Sequence, residues 1–319
     1  MKTILAYFKI IRVFNLVIVA LSLYLFYRFL IIPNHEFQLH TTLLPFTKTD
    51  FILFVLSVVC IAAAGNIIND YFDFELDKEY KPERPLTQGL ISLNTAMYLH
   101  AILAFAGIAL GFYLGWGYNY TQIGYVYIIA ALLLYVYSSY LKKIPLVGNV
   151  VVAALSAFVF VLLMMFEVNF LNTIHFDLAE RVVNLLKQAV IFYGGFAFLV
   201  SLAREIVKDI EDKEGDEAYQ IDTLAVAYGE TFAKAVAVMV ILAMLGGIGY
   251  FMKGFWDMKV MTAFFYLLSL IVFPSMAAVV LLIIAKERKQ FAMVSLLLKV
   301  IMVLGILSIP AFYYFNLSA

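Results

Sequence analysis

Residues 51–68 read FILFVLSVVCIAAAGNII, eighteen residues without a charged side chain. A helix rises 1.5 Å per residue, so about 20 apolar residues cross the ~30 Å hydrocarbon core of a bilayer. Strands of soluble cores are much shorter, about 5–6 residues. The same reading recurs along the chain. Nine apolar runs qualify as spans: 13–32, 51–68, 96–115, 123–141, 145–166, 188–207, 232–251, 260–285 and 290–315. None alternates apolar and polar residues as the strands of a membrane β-barrel do. The expected class is therefore all-α, a polytopic membrane protein with nine transmembrane helices. The first run follows a basic start, but it is long and no A-x-A pattern follows it, so it reads as a retained span and not a signal peptide.

Composition agrees. The chain has 319 residues, 65% hydrophobic and 14% charged, with a mean hydropathy of +0.96. Soluble domains run nearer 45–50% apolar and ~25% charged, and disorder requires low hydrophobicity. Lys+Arg and Asp+Glu are both 22, so the basic footprint of a nucleic-acid binder is missing. The lone cysteine, Cys60, precludes an intrachain disulfide. His35, His40, His100 and His175 form no paired ligand motif and read as structural or interfacial. Fifteen Lys and Arg fall at the N-terminus or after even-numbered runs, and six fall on the other side. The positive-inside rule then places the N-terminus in the cytoplasm and, with an odd number of spans, the C-terminus outside. The wealth of Phe, Tyr, Ile and Lys suggests an AT-rich bacterial genome and hence a bacterial inner membrane. Segments 33–50 and 167–187 read as long outer loops, with Phe37, Phe46, Phe170 and Phe176 among their aromatics and no function assigned. Lys299, inside the last run, either faces a cavity or snorkels.

Acidic residues are not spread evenly. Asp70, Asp73, Glu75, Asp77, Glu79 and Glu83 follow the second run, and Glu205, Asp209, Glu211, Asp212, Glu214, Asp216, Glu217 and Asp222 surround the end of the sixth. Together they make up 14 of the 22 acidic residues, all on the expected cytoplasmic side, where anionic lipid disfavours them. Asn69, Asp73 and Asp77 recur every fourth residue, as do Lys208, Asp212 and Asp216. If the helix continues, such residues share one face at levels ~6 Å apart, and like charges stacked this way repel unless a cation binds. The donors are carboxylates and an amide oxygen, which suit Mg²⁺, with Mn²⁺ the other candidate, and do not suit Zn²⁺. Mg²⁺ takes one or two carboxylates and completes its shell with water and phosphate oxygens. Two such clusters suggest a diphosphate held between two ions, with Arg84, Lys142 and Lys208 as phosphate clamps. Ordinary solvated loops and an ion-transport site are the other readings of the spacing.

The strings themselves point further. Residues 66–92, NIINDYFDFELDKEYKPERPLTQGLIS, resemble the first signature of the UbiA superfamily of intramembrane prenyltransferases, N-D-x-x-D-x-x-x-D followed by R-P-L. It falls on Asn69, Asp70, Asp73, Asp77, Arg84, Pro85 and Leu86. Residues 204–229, REIVKDIEDKEGDEAYQIDTLAVAYG, resemble the second signature, D-x-x-x-D, on Asp212 and Asp216. Arg12-Val-Phe-Asn15 is similar to the family's R-P-x-N start, with Val13 in place of proline, and Tyr137 through Asn149 resembles its helix-four to helix-five segment. The resemblance covers the whole chain. It implies one domain over 1–319, a helical bundle around a central cavity, and transfer of an isoprenyl group from an allylic polyprenyl diphosphate to an acceptor in the membrane. It implies that Asn69, Asp73 and Asp77 hold one metal, with Asp70 behind them or as an alternate ligand, and that Asp212 and Asp216 hold the other. Asp73, Asp77, Asp212 and Asp216 are then the catalytic set, and Arg84, Lys142 and Lys208 grip the diphosphate. Asn15, Asn66, Tyr137, Arg204 and Asp209 are further substrate candidates. For each the other reading is structural: a helix–helix hydrogen bond for Asn15, packing for Asn66, a helix-end charge for Asp209. Arg204 stands where many relatives carry tyrosine.

Which acceptor is served is less legible. The strings look most like the geranylgeranylglyceryl-phosphate branch, whose enzymes prenylate a glycerol hydroxyl in ether-lipid synthesis. The aromatic branches, which act on 4-hydroxybenzoate or 1,4-dihydroxy-2-naphthoate in quinone synthesis, are the alternative. A divalent-cation or anion transporter is the alternative of a different class, but transporter sites lie near the bilayer midplane and these motifs lie at one face. The implied partners are a polyprenyl diphosphate, the acceptor and the bilayer, with no nucleic acid. The sequence leaves chain length and oligomeric state open.

Overall fold

The computed structural model describes residues 2–37, 43–174 and 179–317, and His40, His175 and Phe176 lie outside them. Among the described residues all regular structure is helical. A short N-terminal helix, α1 (Lys2–Ile10), precedes α2 (Val13–Glu36). There follow α3 (Lys48–Phe72), α4 (Phe74–Tyr80), α5 (Leu93–Gly117), α6 (Ile123–Ser139), α7 (Val147–Ile174) and α8 (Ala179–Glu211). After α8 come α9 (Lys213–Ala218), α10 (Leu224–Ala227), α11 (Glu230–Asp257), α12 (Met261–Ile284) and α13 (Arg288–Leu317). Eight of these are long and apolar enough to cross a membrane, and α6, at 17 residues, is shorter. Each expected span coincides with one of these nine helices.

Two of the expected loops are partly helical. Segment 167–187 is mostly the end of α7 and the start of α8, and segment 33–50 begins in α2 and ends in α3. Glu167, Asn169, Glu180 and Arg181 lower the local hydropathy, so the apolar runs stop short of the helix ends. Glu167 nevertheless sits fully buried inside its helix because His35 Nε2 lies 2.6 Å from its Oε1.

The chain divides into two compact units, Met1–Tyr24 with Leu44–Lys142, and Leu25–Leu43 with Lys143–Ala319. In the first, α3, α5 and α6 approach closely through small residues. A Cβ added at Gly107 would stand 2.9 Å from the Ser57 carbonyl oxygen, and one at Gly111 would stand 2.4 Å from the Tyr127 ring. Ser57 Oγ donates to Tyr127 Oη at 2.8 Å across the α3–α6 contact. Thr47 and Ser92 cap α3 and α5, each accepting a hydrogen bond from the backbone N–H three residues on. In the second unit, α8 is central and packs against α7, α11 and α13. Its buried face includes Val200, Ala203, Ile206 and Val207, against Ala233, Ala237 and Leu298. Bulky side chains such as Phe105, Ile129, Tyr250 and Ile283 remain exposed on the outside of the helices, as expected where lipid is the solvent.

Candidate functional site

The first acidic cluster is built on a helix that breaks and restarts. Helix α3 ends at Phe72, Asp73 stands alone at φ −83°, ψ 0°, and α4 begins at Phe74. The break does not lose the register. Asp73 N–H donates to Asn69 O at 3.0 Å, Asp77 N–H to Asp73 O at 2.8 Å, and Lys81 N–H to Asp77 O at 2.9 Å. Asn69, Asp73 and Asp77 therefore follow one another up a single backbone ladder, as their spacing predicts. Asn69 Nδ2 donates to Asp73 Oδ2 at 2.9 Å.

Cations converge on these carboxylates. Lys142, on the turn after α6, bonds Asp73 Oδ1. Arg84 bonds Asp70 Oδ1, and its Nη1 lies 3.2 Å from Asp77 Oδ2. Arg84 is held in place by its loop. Leu86 is buried with Ala6, Ile10 and Ile67, Thr87 Oγ1 donates to Arg84 O at 2.8 Å, and Gly89 turns the chain at φ +67°, where a side chain is disfavoured. Asp77 is buried, and burial pushes its carboxyl up to about 6, a rise that Arg84 opposes and Asp73 reinforces. Its Oδ2 makes no hydrogen bond among the described residues despite the nearby guanidinium.

A residue whose part the spacing does not reveal joins this cluster. Arg12, in the left-handed region at φ 54° between α1 and α2, donates from Nη2 to Asp70 Oδ1 at 2.7 Å. Asn66 Nδ2 donates to Ile11 O at 2.9 Å and so fixes the turn that carries Arg12. Asp70, 4% exposed, thus faces two arginines. Asn15 and Tyr137 are half-buried in the same unit. The separation of 58 positions between Arg12 and Asp70 hides their pairing from any local pattern. The R-V-F-N string was the available signal.

The second cluster repeats the device. Helix α8 ends at Glu211, Asp212 stands alone at φ −93°, ψ 1°, and α9 begins at Lys213. Asp212 N–H donates to Lys208 O at 2.8 Å and Asp216 N–H to Asp212 O at 3.1 Å, so the four-residue register again survives the break. Asn149 Nδ2 donates to Asp209 Oδ2 at 2.7 Å. Arg204 Nη1 donates to Glu205 Oε1 at 2.6 Å, and Lys208 Nζ lies 3.9 Å from Glu205 Oε2. Arg288, which no sequence motif singles out, places Nη2 3.6 Å from Asp212 Oδ1.

Among the described residues no three His, Cys, Asp or Glu side chains stand close enough to hold a metal by themselves. The donors nevertheless suit a hard cation. Each ladder offers two carboxylates, the first adds the Asn69 amide oxygen, and the Asp77 Oδ2 is a buried oxygen with an ion-pair partner but no hydrogen bond among the described residues. Mg²⁺ needs only one or two carboxylates where phosphate and water complete its shell.

Comparison with known proteins bears on what this geometry serves. A family model described as the UbiA prenyltransferase family matches residues 39–298. A digeranylgeranylglyceryl phosphate synthase of Methanothermobacter thermautotrophicus is 33% identical over 269 residues, 83% of this chain and 86% of that protein. A solved structure described as giving insights into digeranylgeranylglyceryl phosphate synthase in membranes aligns at a TM-score of 0.62 and 27% identity, covering 97% of this chain and 98% of that one. A UbiA homolog from Archaeoglobus fulgidus, bound to DMAPP and Mg²⁺, shares the fold at a TM-score of 0.54 and 16% identity, covering 95% and 99% of the two chains.

Proposed function

The chain belongs to the UbiA prenyltransferase family and is a multi-pass membrane enzyme, and from that premise we propose that it transfers a geranylgeranyl group from geranylgeranyl diphosphate to the free hydroxyl of geranylgeranylglyceryl phosphate, with 1–319 acting as one domain. The observation that carries the chemistry is the repeated device: two helices, each broken for one residue at an aspartate, each continuing its acidic ladder beyond the break. The acceptor is supported by the name borne by the relative that this chain matches over most of its length.

In this reading Asn69, Asp73 and Asp77 hold one Mg²⁺ and Asp212 and Asp216 hold a second, with Mn²⁺ able to substitute. Bound there, the ions would neutralise the diphosphate and stabilise charge on the leaving oxygen. Arg84, Lys142 and Lys208 hold the diphosphate oxygens through charge-assisted hydrogen bonds. Arg84 and Lys142 sit in ion pairs with the aspartates and exchange these partners for phosphate when substrate binds. Asp70 is a positioning residue for Arg84 and Arg12. The bond between the allylic C1 and the diphosphate oxygen breaks with its electron pair leaving on oxygen. The acceptor hydroxyl oxygen bonds to C1, and its proton is lost to a base, for which Asp209, held by Asn149, is our candidate. The polar ends of both ladders face the cytoplasm of a bacterial inner membrane, and the prenyl chains lie among the apolar helices.

The test is transfer by detergent-purified protein. Labelled geranylgeranyl diphosphate is offered with geranylgeranylglyceryl phosphate, 4-hydroxybenzoate or 1,4-dihydroxy-2-naphthoate, with Mg²⁺ or with EDTA. The expected result is Mg²⁺-dependent product with the glyceryl phosphate alone, abolished in Asp73→Ala and Asp212→Ala. Product only with an aromatic acceptor would replace this acceptor while keeping the reaction class. Product undiminished by EDTA would remove the metal.

A further inference from the structure

Arg204, Lys208, Asp212 and Asp216 succeed one another at four-residue intervals, and the last two steps keep their backbone register through the break at Asp212. They therefore form one face of α8 and its continuation, with two cations followed by two carboxylates. Arg204 lies two helical levels before Asp212, ~12 Å along the axis, inside an apolar span and beside the buried residues Ala203, Ile206 and Val207. A guanidinium at such a depth is costly and usually marks a binding role. Glu205 takes Nη1, but Arg204 Nε is buried without a hydrogen-bond partner among the described residues. Glu205 is itself shared with Lys208, whose Nζ lies 3.9 Å from its Oε2, so Arg204 does not have this carboxylate to itself. The edge of a guanidinium that carries Nε can meet a phosphate through two parallel N–H donors.

We propose that Arg204 recognises the phosphate of the acceptor and so selects a phosphorylated lipid acceptor over a neutral one. The assignment rests on the function proposed above. It also accounts for a cation set apart from the aspartates, since the leaving diphosphate belongs to the ladder ends. Glu205 keeps the guanidinium in place before the acceptor arrives.

The competing source of phosphate is the allylic diphosphate, and kinetics separates the two. Purified wild type, Arg204→Gln and Arg204→Lys are assayed in Mg²⁺. Geranylgeranylglyceryl phosphate and its dephosphorylated alcohol are varied at saturating diphosphate, and the diphosphate is then varied at saturating acceptor. In Arg204→Gln the KM for the phosphorylated acceptor should rise about 10-fold or more, the binding energy of one good charge-assisted pair. The KM for the diphosphate should hold, and the preference for the phosphorylated acceptor should vanish. Arg204→Lys should recover part of that preference, and it carries the test if the glutamine variant does not fold. An unchanged acceptor KM, a preserved phosphate preference, or an equal rise in the KM for the diphosphate would each overturn the assignment. If wild type itself makes no product with the phosphorylated acceptor, the proposed function falls and the assignment with it.

Discussion

At the scale of single residues, Asp70 is the test of how far type and spacing carry a role. Its place in the signature string admits a metal ligand, yet its Oδ1 is occupied by Arg12 and Arg84 while Asp73 and Asp77 stand on the ladder. Asp70→Asn should leave metal binding in place but free two arginines, so the KM for the allylic diphosphate should rise about 10-fold, which is ~1.4 kcal/mol. Glu75→Gln, an exposed neighbour paired with Lys78, should change stability by no more than ~0.5 kcal/mol and serves as control. Steady-state kinetics, with metal affinity measured separately by titration, would decide it. A lost metal site with an unchanged KM would make Asp70 a ligand. The sequence announces which residues are acidic and which face they share, because helix periodicity is local. It does not announce Arg12–Asp70 or Lys142–Asp73, which join residues 58 and 69 positions apart. Such pairs depend on how helices pack, and no local pattern encodes that.

At the scale of helices, the apolar runs locate every span but misjudge the ends, because a buried polar pair reads as a loop. His35 and Glu167 are both 0% exposed, and His35 Nδ1 also lies 2.8 Å from Leu43 O. Within α7, Glu167 lies 18 residues beyond Asn149, ~27 Å along the axis from the residue that holds Asp209. Glu167→Ala should therefore lower stability by ~3–5 kcal/mol, the usual consequence of stranding one partner of a buried pair, with kcat unchanged in the folded fraction. The double variant His35→Leu/Glu167→Leu should recover much of the loss. Thermal unfolding in detergent reads both, and a Glu167→Ala protein as stable as wild type would mean that the pair contributes nothing. Helix contact in the first unit makes a second prediction. Gly107→Val would press a side chain against the Ser57 carbonyl, which belongs to a helix backbone and cannot turn aside. Overpacking of this kind costs ~1–3 kcal/mol. Gly247, with nothing within 4 Å of its added Cβ, should accept alanine with a small gain, since glycine disfavours a helix interior by ~1 kcal/mol. If both glycines tolerate larger residues equally, α3 and α5 are not in the contact described.

For the whole molecule, the distribution of charge along the sequence predicts the face on which the chemistry occurs. By the order of the apolar runs, fifteen Lys and Arg are expected on the side of the two acidic ladders and six on the other. Many of the fifteen have local partners: Arg84 and Lys142 on the aspartates, Lys234 on Glu230 at 2.7 Å, Lys78 on Glu75 at 3.1 Å. Orientation nevertheless responds to Lys and Arg, with little contribution from Asp and Glu, so these pairings do not cancel the bias. Cys60 is buried and is the only thiol, which makes the topology directly measurable. In a Cys60→Ser background, one new cysteine is placed at Lys78, on α4, or at Asn119, between α5 and α6. A membrane-impermeant maleimide added to intact cells should label the Asn119→Cys protein and spare the Lys78→Cys protein, and inverted vesicles should reverse the pattern. The opposite result would put both ladders on the outer face, away from soluble diphosphate pools in the cytoplasm, and would require the substrate to reach the site from the other side of the membrane.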